Sequence, residues 1–174
     1  MTASATRHTI FATRWGHFGF VCRGDSVCRT VLPIGDRAAA RKALLSNSES
    51  ETPYEKDLLR GLQQRIVGYF EGETVDFSAD PAVDLTGFSV FQQAVLTACR
   101  RIPFGQIRTY GQLASDAERA KAIRAVGGVM ARNPTPLIIP CHRIVQAGGG
   151  LGGFSAIGGT TLKRRLLQHE QPGV

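Results

Sequence analysis

Acidic residues almost vanish from the second half of this chain. Past residue 84 only Asp116, Glu118 and Glu170 remain, against 11 Lys/Arg, whereas residues 1–84 carry 11 acidic groups against 10 basic ones. The net charge of +7 over 174 residues therefore belongs to residues 85–174. Such a half is expected to meet a polyanion. Cysteine is scarce as well. Cys22, Cys28, Cys99 and Cys141 form no CxxC pair, which excludes a zinc ribbon or a disulfide scaffold and predicts four reduced thiols in a cytoplasmic protein. No apolar run is long enough to cross a bilayer, and no terminal stretch has the order of a signal peptide, so no membrane is expected. Internal repeats and low-complexity tracts are absent too.

What is present predicts two domains, 1–84 and 85–174. In the first, Thr9 to Thr13, Phe18 to Arg23 and Val27 to Leu32 read as strands, with Gly24-Asp25 as turn chemistry. A short helix is predicted from Asp36 to Leu45, then a polar loop over Ser46 to Glu51. Thr52-Pro53-Tyr54-Glu55 spells a capping box, and Tyr54, Leu58, Leu62, Ile66 and Phe70 follow at helical spacing until Gly72. Asp80-Pro81 marks a linker. In the second domain, Ser89-Val90-Phe91-Gln92 and Thr109-Tyr110-Gly111-Gln112 are two more boxes. The latter opens a helix to about Asp116, followed by a turn and a helix from about Arg119 to Ala131, a helix-turn-helix pattern. A last helix is predicted from about Thr161 to His169.

Ile139-Pro140-Cys141-His142-Arg143 sets a thiol beside an imidazole, after a short apolar run and before a glycine-rich stretch. A cysteine is a strong nucleophile only as thiolate, which needs a nearby base or positive charge at neutral pH. Upstream stand Arg124-Ala125-Val126-Gly127-Gly128 and Asn133-Pro134. Phe91-Gln92-Gln93-Ala94-Val95, Ile102-Pro103-Phe104-Gly105 and Tyr110-Gly111-Gln112-Leu113-Ala114 precede them, and Leu166-Leu167-Gln168-His169-Glu170 closes the series. Together these motifs resemble the O6-alkylguanine-DNA alkyltransferases, the methylated-DNA–protein-cysteine methyltransferases of direct DNA repair. The resemblance is strong over 85–174. Over 1–84 mainly the order of elements fits the family's ribonuclease-H-like domain. It implies an α/β protein with a small N-terminal ribonuclease-H-like domain and a mostly helical C-terminal domain bearing the helix-turn-helix.

The resemblance also implies roles. An alkyl group on guanine O6 lies inside the duplex, so the nucleotide must be swung out into a pocket. Ala125, Gly127 and their small neighbours leave the second helix slim enough to enter the minor groove. Arg124 would fill the gap left by the flipped base, and Arg119 and Lys121 would bind phosphates. Cys141 would attack the alkyl carbon, and His142 would act through a water as its base, oriented and charged by Glu170. A carboxylate in that network favours imidazolium and thus an ionised sulfur. Asn133 would hold the turn around the site. Tyr110 would help to rotate the nucleotide or donate a proton to the departing guanine. Met130 and Pro140 would line the pocket, with Ile144 as a wall offering its carbonyl to the base. A thioether is a poor leaving group, so each molecule would act once.

Two departures from the pattern stand out. The usual Gly-x-Pro-like turn between the two helices is Glu118-Arg119-Ala120 here. The loop before the last helix is about two residues longer than usual, a change that surface loops accept. Anchoring on the motif makes Phe154 and Ser155 cover the flipped base, whereas anchoring on Gly158-Gly159 shifts those roles to Ala156 and Ile157. The first keeps an aromatic and a hydroxyl there and is preferred. Gly148-x-Gly150-x-x-Gly153 matches a dinucleotide fingerprint without its strand–turn–helix setting, so no cofactor is expected. His8, His17, Cys22 and Cys28 lack the spacing of a finger, so no metal is expected either. The expectation is a monomeric, cytoplasmic, nucleoid-associated protein that meets duplex DNA containing O6-alkylguanine. O4-alkylthymine remains an open substrate, and an alkyl-base sensor is the rival reading.

Overall fold

The fold was obtained as a computed structural model that describes residues 5–46 and 52–171. Most of the expected polar loop, residues 47–51, lies outside the described residues. The chain divides into two compact units, residues 1–75 with 79–84, and residues 76–78 with 85–174.

The first unit begins with an antiparallel meander of β1 (Thr6–Thr13), β2 (Gly16–Arg23) and β3 (Ser26–Ile34) in the order β1-β2-β3. Alternation dictates its two faces. Ile10 and Val21 turn to one face, where Ala40 and Leu44 of helix α1 (Arg37–Leu45) cover them. Phe11, Phe18 and Phe20 gather on the other, joined by Phe70 of helix α2 (Arg60–Glu71) and by Trp15. Each such large apolar side chain contributes roughly 1.5–3 kcal/mol when fully buried. Asp36 caps α1 by accepting from the Ala39 amide at 2.8 Å. Gly72, at φ +107°, closes α2.

The predicted capping box at Thr52 does not start a helix. Instead Pro53 and Glu55 pair in parallel with the edge of β1: His8 donates its backbone N–H to the Pro53 carbonyl and its own carbonyl accepts from Glu55. Leu59 then takes a left-handed conformation at φ 45°, so α2 begins only at Arg60. Leu58, Leu62, Ile66 and Phe70 are buried as their spacing predicts, but Tyr54 stays 44% exposed. An open sheet edge outcompeted a local helix signal.

The second unit opens with α3 (Val90–Arg100). Both of its predicted box hydrogen bonds form, between Ser89 and Gln92. Strand β4 (Arg108–Thr109) leads into α4 (Tyr110–Asp116), where Thr109 and Gln112 repeat the box. The following helix α5 covers only Ile123–Met130, shorter than expected. Glu118 adopts φ 58° at the end of α4, where the Arg119 amide reaches back to Ala114 and the Glu118 amide to Ser115. This is a Schellman closure with glutamate in a seat usually held by glycine, and it delays the next helix to Ile123. A single turn of 3-10 helix (Cys141–Arg143), strand β5 (Ile144–Val145) paired parallel to β4, and helix α6 (Gly159–Glu170) complete the unit. Among the described residues, no helix is long and apolar enough to cross a membrane.

Candidate active site

Between α5 and Cys141 the chain is braced by one side chain. Asn133 accepts from the Thr135 amide at 3.1 Å and donates its own amide to the Ile139 carbonyl at 2.7 Å. That double tie fixes the approach to Pro140. The pairing of β5 with β4 then anchors the motif from its far side. Cys141 is 7% exposed, His142 and Arg143 are buried, and all three share the single helical turn.

Behind them lies a closed ionic cluster. His142 Nε2 meets Glu170 Oε1 at 2.7 Å. Arg143 clasps the same carboxylate through Nε at 2.8 Å and Nη2 at 2.9 Å, and its Nη1 donates to the Ile102 carbonyl at 2.5 Å. Burial alone would raise the Glu170 pKa. The hydrogen bonds of His142 and Arg143, with the Arg143 charge, outweigh it and hold the carboxyl well below the usual range. For His142 the balance goes the other way: burial lowers its pKa despite the Glu170 bond. An ionised Glu170 requires a proton on Nε2, so neutral His142 presents Nδ1 as a lone pair. Nδ1 is buried and has no hydrogen-bond partner.

This corrects the expectation of an imidazolium–thiolate pair. Burial is the larger cause, and the Arg143 charge adds to it against the pull of Glu170. The Cys141 thiol is likewise pushed up by burial, against the Asn133 hydrogen bond and the Lys163 charge that pull it down. The resting pair is neutral thiol and neutral imidazole, so ionisation requires removal of the thiol proton.

In front of the sulfur opens a cavity of about 340 Å³ lined by Tyr110, Gly127, Met130, Ala131, Cys141, Gly153, Phe154 and Ser155. Ala156 and Ile157 are not among its walls, and Ile157 is exposed. Pro140 and Ile144, expected in the pocket, do not line it: both are buried behind the motif. The Ile144 carbonyl is taken by Lys163 Nζ at 2.5 Å, and the same ammonium reaches the Gly153 carbonyl at 3.3 Å. Lys163 thus pins both ends of the glycine-rich loop. Gly152, at φ +70°, lies so close to Tyr110 that a Cβ there would stand 3.1 Å from its ring and hydroxyl. Burial raises the Tyr110 pKa and keeps that hydroxyl protonated.

This geometry has relatives. Residues 90–172 match the family model described as 6-O-methylguanine DNA methyltransferase, DNA binding domain. A Methanosarcina mazei protein named methylated-DNA–protein-cysteine methyltransferase is 37% identical over 131 residues, 75% of this chain and 78% of that protein. The chain belongs to the methylated-DNA–protein-cysteine methyltransferase family. A Salmonella typhimurium protein of the same name is 40% identical over 110 residues, which span 63% of this chain and 62% of that protein. Among solved structures, the Mycobacterium tuberculosis OGT in complex with DNA is similar over 95% of this chain and 93% of its own, with 29% identity and a TM-score of 0.78.

Beside the cavity of this methyltransferase-family chain, α5 presents a slim outer surface. Ile123, Arg124 and Ala125 are exposed there, with Arg119, Ala120 and Lys121 exposed in the turn just before the helix, while Val126, Val129 and Met130 turn inward. Arg119 is folded back, its Nη1 donating to the Glu118 carbonyl at 2.8 Å. Sequence reasoning missed Lys163, Gly153 and Ala131. For Lys163 a signal existed, since it falls with Leu166 and Glu170 on one stripe of α6, and all three are buried. Among the described residues no group of three or more His, Cys, Asp and Glu is placed to hold a metal ion. His8 and His17 instead bond to backbone carbonyls through Nδ1.

Proposed function

We propose that this protein repairs DNA by direct reversal, moving an alkyl group from guanine O6 onto Cys141 in one stoichiometric event. The observation that carries the reading is the pairing of a walled cavity at the sulfur with the unpartnered Nδ1 of His142. The substrate base, swung out of the duplex, enters between Tyr110, Phe154 and Ser155. The Cys141 proton leaves through a bridging water to Nδ1, and Glu170 stabilises the imidazolium that forms. The sulfur lone pair then attacks the alkyl carbon as its bond to O6 breaks. The electron pair of that bond passes into the guanine, which takes a proton from the Tyr110 side of the cavity. A thioether and an unmodified guanine result.

The exposed stretch formed by the turn before α5 and the start of that helix suits close approach to the minor groove, with Arg124 filling the place of the extruded base and Arg119 and Lys121 at phosphates. The protein works as a monomer and needs no cofactor. The test is intact mass after incubation with a duplex oligonucleotide containing O6-methylguanine. The mass rises by one methylene equivalent at Cys141, and Cys141→Ser abolishes the gain. Binding with no gain in mass would instead make the protein a sensor. Arg124→Ala slows repair in duplex more than reaction with the free modified base, and equal losses would remove its flipping role.

A further inference from the structure

The first unit holds a second cavity, of about 480 Å³, that the repair chemistry does not use. Its floor is Ile10, Phe11 and Ala12 of β1. One wall is the stripe Arg60, Gln64, Val67 and Glu71 of α2, and Arg37 at the start of α1 stands opposite. β1 is an edge strand with β2 on one side only. His8 turns its N–H and C=O outward to Pro53 and Glu55, so by the two-residue alternation Ile10 and Ala12 also turn theirs outward. Among the described residues, no hydrogen bond reaches Ile10 or Ala12 from that side. Ile10 is nevertheless 2% exposed, and buried backbone groups rarely stay unpaired. The chain itself supplies the first pairing of a fourth strand, at Tyr54, and then turns away, leaving about 10 Å of strand edge open in a groove.

The groove is charged unequally along its length. Arg37 stacks 4.5 Å over the Tyr54 ring, and Tyr54 lies against His8, so Arg37, Lys56 and Arg60 mark the end where β1 enters. Asp57 offsets one of these three charges. Trp15 packs 5.3 Å from Phe70, which sets the last turn of α2 beside the β1–β2 hairpin, so Glu71 and Glu73 mark the other end. The dipole of α2 adds to both signs, positive at Arg60 and negative at Glu71.

We infer that this groove binds an extended peptide segment of a partner protein as an added strand antiparallel to β1, with a basic residue toward its N-terminal end and an acidic group toward its C-terminal end. Outward N–H and C=O groups at Ile10 and Ala12 supply backbone recognition, and the oppositely charged ends set the direction.

The test uses the full chain and fluorescence polarisation. The probe is a labelled pentapeptide with lysine first, valine-threonine-valine in the middle, and glutamate with a free carboxylate last. It binds with a Kd of roughly tens of micromolar, and replacing its central threonine by proline weakens binding at least about tenfold. Ala12→Pro in the protein, which removes an outward N–H that β2 does not use, weakens it by a similar factor, about tenfold. The double variant Arg60→Glu with Glu71→Lys, both favourable to the helix dipole, prefers a probe of reversed charge order over the original. Absence of saturable binding up to about 1 mM overturns the proposal. So does equal binding of the proline probe, or a wild-type dimer that Ala12→Pro disperses, since a second copy would then be the occupant.

Discussion

The two units bury sulfur and charge for opposite ends. In the first, Cys22 lies in an apolar sheet core, its thiol pushed up to about 12 by burial. In the second, Cys141 is pushed up by the same cause, yet Asn133 and Lys163 pull against it and a cavity opens beside it. Burial alone makes a thiol inert; what surrounds it decides whether it reacts. Ion pairs divide in the same way. Arg7–Glu55 is part-exposed in the first unit, whereas Arg143–Glu170 is closed in the second.

The strongest way to break this comparison is to remove one carboxylate from each unit. Glu170→Ala strands a buried guanidinium and costs about 3–5 kcal/mol in denaturant unfolding. Glu55→Ala costs less than about 1 kcal/mol. Equal losses would erase the distinction. Acid sharpens it. Glu170 has a folded pKa below its unfolded value, so its stabilisation is present above about pH 4.5 and is lost as pH falls through the folded value. His142 is also lowered, so below about pH 6.5 the unfolded chain binds a proton that the folded one refuses, which again costs stability. Both signs agree: stability falls with acidification. Glu170→Gln flattens the lower part of that slope in a pH series of melts, and an unchanged slope would contradict the assignment.

Next in size is Lys163→Met, which removes the cation from the sulfur and frees Gly153. Alkyl transfer slows about tenfold at neutral pH and recovers as pH is raised. Lys56→Met in the first unit leaves the rate alone. An unchanged rate in the Lys163 variant would remove its electrostatic part. Smallest are two glycines. Gly152→Ala presses on Tyr110 from a left-handed backbone and costs about 1 kcal/mol, with slower transfer. Gly61→Ala, with nothing within 4 Å, gains about 0.4–1 kcal/mol. Thermal melts read both.

Signals confined to a few neighbouring residues were the legible ones. The boxes at Ser89 and Thr109 formed because their donors and acceptors lie within one turn and nothing nearby competes for them. The equally good pattern at Thr52 failed because a distant strand edge offered Pro53 and Glu55 better partners. Glu118 was visible as a departure, but its left-handed backbone was not, since that conformation normally selects glycine. The motif around Cys141 pointed to a cluster of Cys141, His142 and Glu170, and the last two meet in the fold. It could not disclose that Arg143 shares the carboxylate, or that burial outweighs the pull of Glu170 on His142, because that balance exists only once these side chains are packed away from water. Lys163 stayed hidden because a fully buried lysine runs against the usual preference of that side chain for water.

Glu170 follows His142 by 28 positions. At ribosomal speeds of 5–20 residues per second, roughly 1.4 to 5.6 seconds separate the synthesis of these two partners. A nascent chain therefore carries Cys141 and His142 before the carboxylate that pairs with the imidazole exists. Under the proposed chemistry the site is complete only when the final helix docks.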